Sequence, residues 1–168
     1  MDDELLKRMK ADRGWLATQM AKVPIFRGYL EHTTIWEADK LVREEVARRL
    51  DNVKRPVEDA IRTLGEDVRA GERIADLNRL LNRLDESANR VRFADYGHSG
   101  ISGKVKIRDE DLAQLLADDR GLFERLDEIE AAANVLAEMG PEKLESGLTS
   151  FEGHFDARKE CLRTIDAG

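Results

Sequence analysis

The sequence has few of the residues that stabilise small proteins through covalent or metal cross-links. Its 168 residues include one cysteine, Cys161, so no internal disulfide can form, and only three histidines. Aromatic residues make up only 5% and charged residues 38% of the chain, a balance typical of long amphipathic helices with solvated faces. We therefore expect an all-α fold, arranged as one helical domain over residues 1–168.

Long apolar runs are also lacking. No stretch approaches the roughly 18 consecutive apolar residues that a transmembrane helix requires. The sequence opens without the basic, apolar and small-residue pattern of a secretory leader. With a single cysteine, these features predict a protein of the reducing cytoplasm, while peripheral attachment to a membrane remains an open alternative.

Acidic residues exceed basic residues, and the excess lies near the C-terminus. The net charge is +1 over residues 1–65, +2 over residues 66–108 and −10 over residues 109–168. One interpretation is that acidic C-terminal helices pack beside more basic earlier helices, and the other is an acidic docking face. Neither gives a general basic surface, so nucleic acid is not an expected partner.

Apolar residues recur at helical spacing from the start of the chain. They predict an amphipathic helix over residues 1–23 and a long helical hairpin over residues 33–93. The first stripe of the hairpin has a period of 3.67 residues and keeps its phase through Pro56, so we expect a kinked but continuous helix there. A break near Gly71 would make an antiparallel hairpin, and one uninterrupted helix to residue 93 is the alternative. The first stripe is Ile35, Ala38, Val42, Val46, Leu50, Val53, Val57, Ile61, Leu64 and Val68, and the second, with spacing nearer that of a coiled coil, is Ile74, Leu77, Leu81, Leu84, Ala88 and Val91.

Two acidic helices are predicted over residues 109–166. Asp109 is a good N-cap for the first, which should end at Gly140, and Pro141 suits the first position of the second. With the earlier elements, the pattern predicts five helices in an elongated bundle. The inward residues are Leu112, Leu115, Leu122, Leu126, Ile129, Ala133 and Leu136 in the first helix, and Leu144, Leu148, Phe151, Phe155, Leu162 and Ile165 in the second.

A glycine-rich segment over residues 94–108 separates the hairpin from the acidic helices. The nucleotide-binding loop G-x-x-x-x-G-K-[ST] is not matched, because His98 stands where glycine is needed and Val105 where serine or threonine is needed. One interpretation is a structural loop or short β-like ribbon that turns the chain. The other is a partner-contact loop formed by Tyr96, Gly97, His98, Gly100 and Ile101, with the larger side chains as anchors.

No pattern of catalytic or metal-ligating residues stands out. The residues three positions before His32, His98 and His154 are Tyr29, Asp95 and Phe151, so the Glu-x-x-His pairs of carboxylate metal sites do not occur. We expect no cofactor, no metal and no catalytic residue. Cys161 is predicted to be a small buried residue. Two arginines, Arg13 and Arg158, lie in or beside apolar faces and predict polar neighbours there.

Two quoted segments carry a resemblance to a known group. The chain resembles uncharacterised bacterial all-helical proteins at "VPIFRGYLEHTTIWEADKLVREEVARRL" and at "RVRFADYGHSGISGKVKI", which share a Gly-Tyr segment before an acidic and arginine-rich helix and a Tyr-Gly-x-x-Gly turn. The match covers about residues 24–126. In that group an aromatic pair follows the turn, where this chain has Ile101 and Ser102. The resemblance implies a helical fold and a link to membrane-associated assemblies, and it transfers no catalytic residues.

These features lead to two hypotheses about function. The first is a non-enzymatic helical scaffold that binds a protein partner through residues 96–101, with self-association of the long apolar stripes as a further expectation. The second is a peripheral membrane protein that docks through residues 1–22, where Lys7, Arg8, Lys10 and Trp15 are of the required types. Acidic residues in the same helix weigh against the second.

Overall fold

A computed structural model describes residues 35–94 and 109–167, and within these residues the fold is all-α, as predicted. The predicted helix over residues 1–23 and the glycine-rich segment after Ala94 lie outside the described residues. So do the side chains of Ile35, Ala38, Leu112 and Ile165. The helices are α1 (Ile35–Leu64), α2 (Gly71–Arg92), α3 (Asp109–Asn134), α4 (Leu136–Met139) and α5 (Glu142–Ala167).

The chain divides into two compact units. Unit 1 comprises Met1–Glu45, Asp95–Leu122 and His154–Gly168, and unit 2 comprises Val46–Ala94 and Phe123–Gly153. Three of the four boundaries therefore fall within α1, α3 and α5, and the fourth follows Ala94.

Helices α1 and α2 form an antiparallel hairpin in unit 2. Lys54 pairs with Asp85, whereas Asp51, earlier in α1, pairs with Arg92, later in α2. The chain breaks at 65–70, near Gly71 as predicted, and Gly71 is the first residue of α2. There the Asp67 carboxylate accepts a hydrogen bond from the Arg69 backbone N–H at 2.9 Å, a local bond that competes with helix.

The hairpin confirms some of the predicted core positions and corrects one. Helix α1 continues through Pro56, as its unbroken stripe indicated, and its residues from Val42 to Val57 on that stripe are buried. Val68 is fully exposed, so its assignment to the stripe is wrong: the helix ends at Leu64 before the apolar spacing does. Ile61, Leu64, Ile74 and Leu81 are half-buried.

The third predicted helix is divided in two. Helix α3 ends at Asn134, a turn at Val135 follows, and α4 ends before Gly140. Asn134 and the β-branched Val135 are weaker helix formers than the alanines before them, which accounts for the break. Gly140 has a φ of 80°, a conformation that side chains disfavour, and the helix after it starts at Glu142 with Pro141 immediately before.

Four helical segments of unit 2 form a closed ring around an apolar core. Polar contacts link α1 to α2, α2 to α5, α5 to α3, and α3 to α1. The four links are Lys54–Asp85, Arg83–Glu152, Arg125–Ser150 and Arg49–Glu130. Inside the ring, the largest buried side chains are Leu50, Leu84, Leu126, Ile129, Leu144 and Phe151.

Candidate functional site

The residues predicted to contact a partner, Tyr96, Gly97, His98, Gly100 and Ile101, lie outside the described residues. The nearest described aromatic residue is Phe93, which caps the C-terminal end of α2 in unit 2. Its side chain is 74% exposed, although its backbone N–H is bonded to the Asn89 carbonyl at 3.0 Å. The Phe93 backbone is thus fixed at the helix end, while most of the residue is exposed.

An ionic cluster fixes the last turn of α2. Arg92 donates to Asp51 at 2.6 Å, and Lys54 bonds to both Asp51 and Asp85. Burial alone would raise the pKa of Asp51, but the hydrogen bonds from Lys54 and Arg92 outweigh it and lower that pKa. The pKa of Lys54 is raised by its bonds to Asp51 and Asp85. The end of α2 is thus held against α1 just before Phe93.

Unit 1 contains a buried ionic network. Arg158 of α5 donates to Asp39 of α1 at 2.6 Å and to Asp119 of α3, and all three side chains have no solvent exposure. Arg43 donates to the second oxygen of Asp39 at 2.8 Å. The polar neighbour predicted for Arg158 is therefore confirmed, and the network connects three helices. The pairing of opposite charges across three helices indicates a structural role.

A second arginine cluster lies at the margin between α1 and α3 in unit 2. Arg49 bonds to both oxygens of Glu130, at 2.7 and 2.6 Å, and to Asp127 at 2.6 Å. Its guanidinium lies 5.8 Å from the centroid of the Phe123 ring. Burial alone would lower the pKa of Arg49, but the hydrogen bonds that it donates to Glu130 and Asp127 raise that pKa. Such pairing holds the two helices in register without offering a reactive group.

A third cluster joins α2 to α5 in unit 2. Arg83 donates to Glu152 at 2.6 and 3.1 Å, and the buried Ser87 hydroxyl donates to the same carboxylate at 2.8 Å. Burial alone would raise the pKa of Glu152, but the bonds from Arg83 and Ser87 lower it. A serine that donates to an ionised, arginine-bound carboxylate is not an activated nucleophile, because that carboxylate is a weak base.

An open groove of about 690 Å³ lies in unit 2 where α1 ends and α2 begins, and α4 and its flanking turns form its other wall. Its apolar lining includes Pro56, Leu64, Leu77 and Leu136. Met139 adds a flexible side chain that is 53% exposed. The groove has the size of many ligand sites and is partly open to solvent.

The two walls of this groove differ in charge. On the α1 and α2 wall, Asp59 and Asp76 are each paired within their own helix, with Arg62 and Arg79. Arg73 also lines that wall. On the other wall, Glu138 and Glu142 have no side-chain hydrogen bond or ion pair to any described residue. The second wall is therefore the acidic one.

Other polar residues singled out in the sequence occupy ordinary structural positions. His154 lies 2.8 Å from the Asp118 carbonyl oxygen, and Cys161 is half-buried, not fully buried as predicted. Among the described residues, no group of three or more histidine, cysteine, aspartate or glutamate side chains is placed to hold a metal ion. None of the helices in residues 35–94 and 109–167 is both long and apolar enough to span a bilayer.

Sequence reasoning missed three of these features. The exposed Phe93 and the groove depend on where helices end, and Phe93 alone had a visible signal, as an aromatic residue next to the glycine-rich segment. The partners of Arg158 lie 119 and 39 positions away in the chain. Comparison with known proteins adds no assignment, since no family model, curated protein or solved structure matches the chain.

Proposed function

We propose that the protein is a non-enzymatic helical scaffold that works by binding a protein partner, with residues 96–101 as a contact segment. The observation that carries the proposal is the exposed Phe93 ring at the end of α2. An aromatic side chain offers a large contact area at a low cost in conformational entropy, which is why aromatic residues are enriched in protein interfaces.

The clusters described above support a scaffold role. Each helix of the ring in unit 2 is tied to its neighbours by charged or polar pairs, and the described polar clusters are occupied in holding helices together. A rigid frame lowers the entropy that a contact segment loses on binding. Tyr96 and Ile101 are the anchors that the sequence predicts for that segment.

Affinity capture from a lysate of the source organism, read by mass spectrometry, tests the proposal. We expect a protein held by the wild type to be lost with the double substitution Tyr96→Ser, Ile101→Ser, and to be reduced with Phe93→Ser. Val68→Ser is the matched control, because Val68 is an exposed apolar residue like Phe93 but lies in the turn before α2.

Purified variants must first show unchanged helix content and melting temperature, so that lost capture is not lost folding. The test is completed by measuring how tightly the captured protein binds purified wild type and variants. We expect the affinities to fall in the same order as the captured amounts. Identical captures for all the variants would contradict the proposal, as would a ligand that raises the melting temperature and is chemically converted.

A further inference from the structure

We propose that the groove in unit 2 binds a partner segment that presents apolar side chains flanked by lysine or arginine. This site goes beyond residues 96–101 and does not rest on them. The groove combines two properties, an apolar floor and a charge on one wall.

The floor of the groove matches apolar side chains. Leu77 and Leu136 are buried beneath it, whereas Met139 is half in solvent at its edge. Methionine side chains adapt to different apolar partners because they are unbranched and polarizable. An exposed methionine beside buried leucines is therefore suited to cover an inserted leucine or aromatic side chain.

The acidic wall determines the charge of the partner. Glu138 and Glu142 lack cationic partners among the described residues, and α3, which ends at the same wall with Asn134, has no basic residue in its last turn. The C-terminal end of a helix carries a partial negative charge. The carboxylates and the end of α3 together favour a cation, and the positive N-terminal end of α5 at Glu142 offsets part of that preference.

Arg73, on the opposite wall, gives a way to test the charge of the partner. It opposes a cationic partner and favours an anionic one, while the paired Asp59 and Asp76 contribute little net charge. If the acidic wall selects the partner, removing Arg73 should strengthen binding of a basic segment. If Arg73 selects the partner, the same change should weaken binding of an acidic one.

The probe is a short, fluorescently labelled amphipathic peptide of leucine and lysine, with a leucine and glutamate peptide of the same pattern for comparison. We expect the full chain to bind the basic peptide and not the acidic one, by fluorescence anisotropy. The variant Glu138→Lys, Glu142→Lys should weaken binding by about tenfold or more, because it reverses the sign of the wall. Arg73→Glu should strengthen it.

Two matched variants separate the groove from general attraction between opposite charges. Glu86→Lys, Glu128→Lys makes the same change in net charge at exposed positions that do not line the groove, and binding should change by less than about twofold. Met139→Asp adds a negative charge but removes the apolar edge. It should still weaken binding, which a purely electrostatic attraction would not do.

Several results would overturn the inference: equal loss in the two charge-reversal variants, no binding of the basic peptide, or tighter binding of the acidic one. Sedimentation of the protein alone is a further test. A dimer that is abolished by Met139→Asp would mean that a second copy covers the groove, and this result would also overturn the inference. Residues 96–101 are unchanged in all these variants, so failure here leaves the lysate test of the proposed function intact.

Discussion

The two units differ in where their ion pairs lie. Unit 1 encloses Arg158 with Asp39 and Asp119, all without solvent exposure, whereas unit 2 keeps its interior apolar and places Arg49, Lys54 and Arg83 at the margins between helices. Water cannot take the place of the lost partners of the buried Arg158. Water can take the place of lost partners of Arg49, Lys54 and Arg83, because these side chains are 14%, 23% and 35% exposed.

The two arrangements have different structural consequences. Burial of charge costs free energy that pairing offsets only when every partner is present, so we expect the network in unit 1 to favour one register of α1, α3 and α5 over others. Marginal pairs contribute about 0.2–1 kcal/mol each and tolerate imperfect geometry. Unit 2 therefore relies on apolar packing, with its ion pairs as fine adjustment.

Removing the buried arginine should give the largest effect. Arg158→Met leaves the carboxylates of Asp39 and Asp119 buried, and we expect a loss of about 3–5 kcal/mol in the free energy of unfolding. Urea denaturation followed by circular dichroism measures it. Arg163→Met, at an exposed position one turn further along α5, should cost less than about 1 kcal/mol.

A compensated variant separates buried charge from lost packing. Asp39→Leu, Asp119→Leu, Arg158→Met replaces the network by apolar side chains, and Arg43 can reach solvent because its side chain is already 15% exposed. We expect most of the stability lost in Arg158→Met to return. A triple variant no more stable than the single one would show that the shape of the arginine, and not its charge, determines stability in unit 1.

Arg49 in unit 2 should give an intermediate effect. Arg49→Met removes bonds to Glu130 and Asp127 and the contact with Phe123, but leaves two carboxylates that solvent can reach, so we expect a loss of about 1–2 kcal/mol. The measurement is the same denaturation experiment. Arg49→Lys retains the charge without the two-pronged geometry and should lie between wild type and Arg49→Met. A loss as large as that of Arg158→Met would erase the contrast between the units.

Periodicity predicted the helices but not where they stop. The apolar spacing continues to Val68, past the point where Gly65 and Asp67 turn the chain, because a stripe records amphipathicity and not local hydrogen bonding. Adjacent apolar residues also left the inward one ambiguous: Leu80 is buried beside the predicted Leu81, and Phe123 beside Leu122. Helix existence and most core positions were predictable, since the predicted stripes of α3 and α5 are buried wherever their side chains are described, while helix boundaries were not.

The candidate sites were less accessible from sequence than the fold. Arg158 could be recognised as a cation on an apolar face, but its partners come from helices distant in the chain, and no local pattern connects them. The groove arises from the turn at Val135 and the positive φ of Gly140. Neither residue marks a binding site by itself, because the surface exists only after α3, α4 and α5 are placed.

The smallest expected effect is a loss of stability in acid that comes from Glu152 in unit 2. The pKa of Glu152 is lowered from its ordinary value of 4.5, so the unfolded chain binds the proton more readily than the folded one. The stabilisation by ionised Glu152 is thus fully present above about pH 4.5 and is lost as the pH falls through the lower folded-state pKa. Glu152→Gln should unfold at lower urea than wild type at pH 7, and the gap should narrow as the pH falls below 4.5. Glu86→Gln, at an exposed position on α2, should show no such gap at either pH. A gap that stays constant with pH would mean that the hydrogen bonds of Glu152, and not its charge, join α2 to α5.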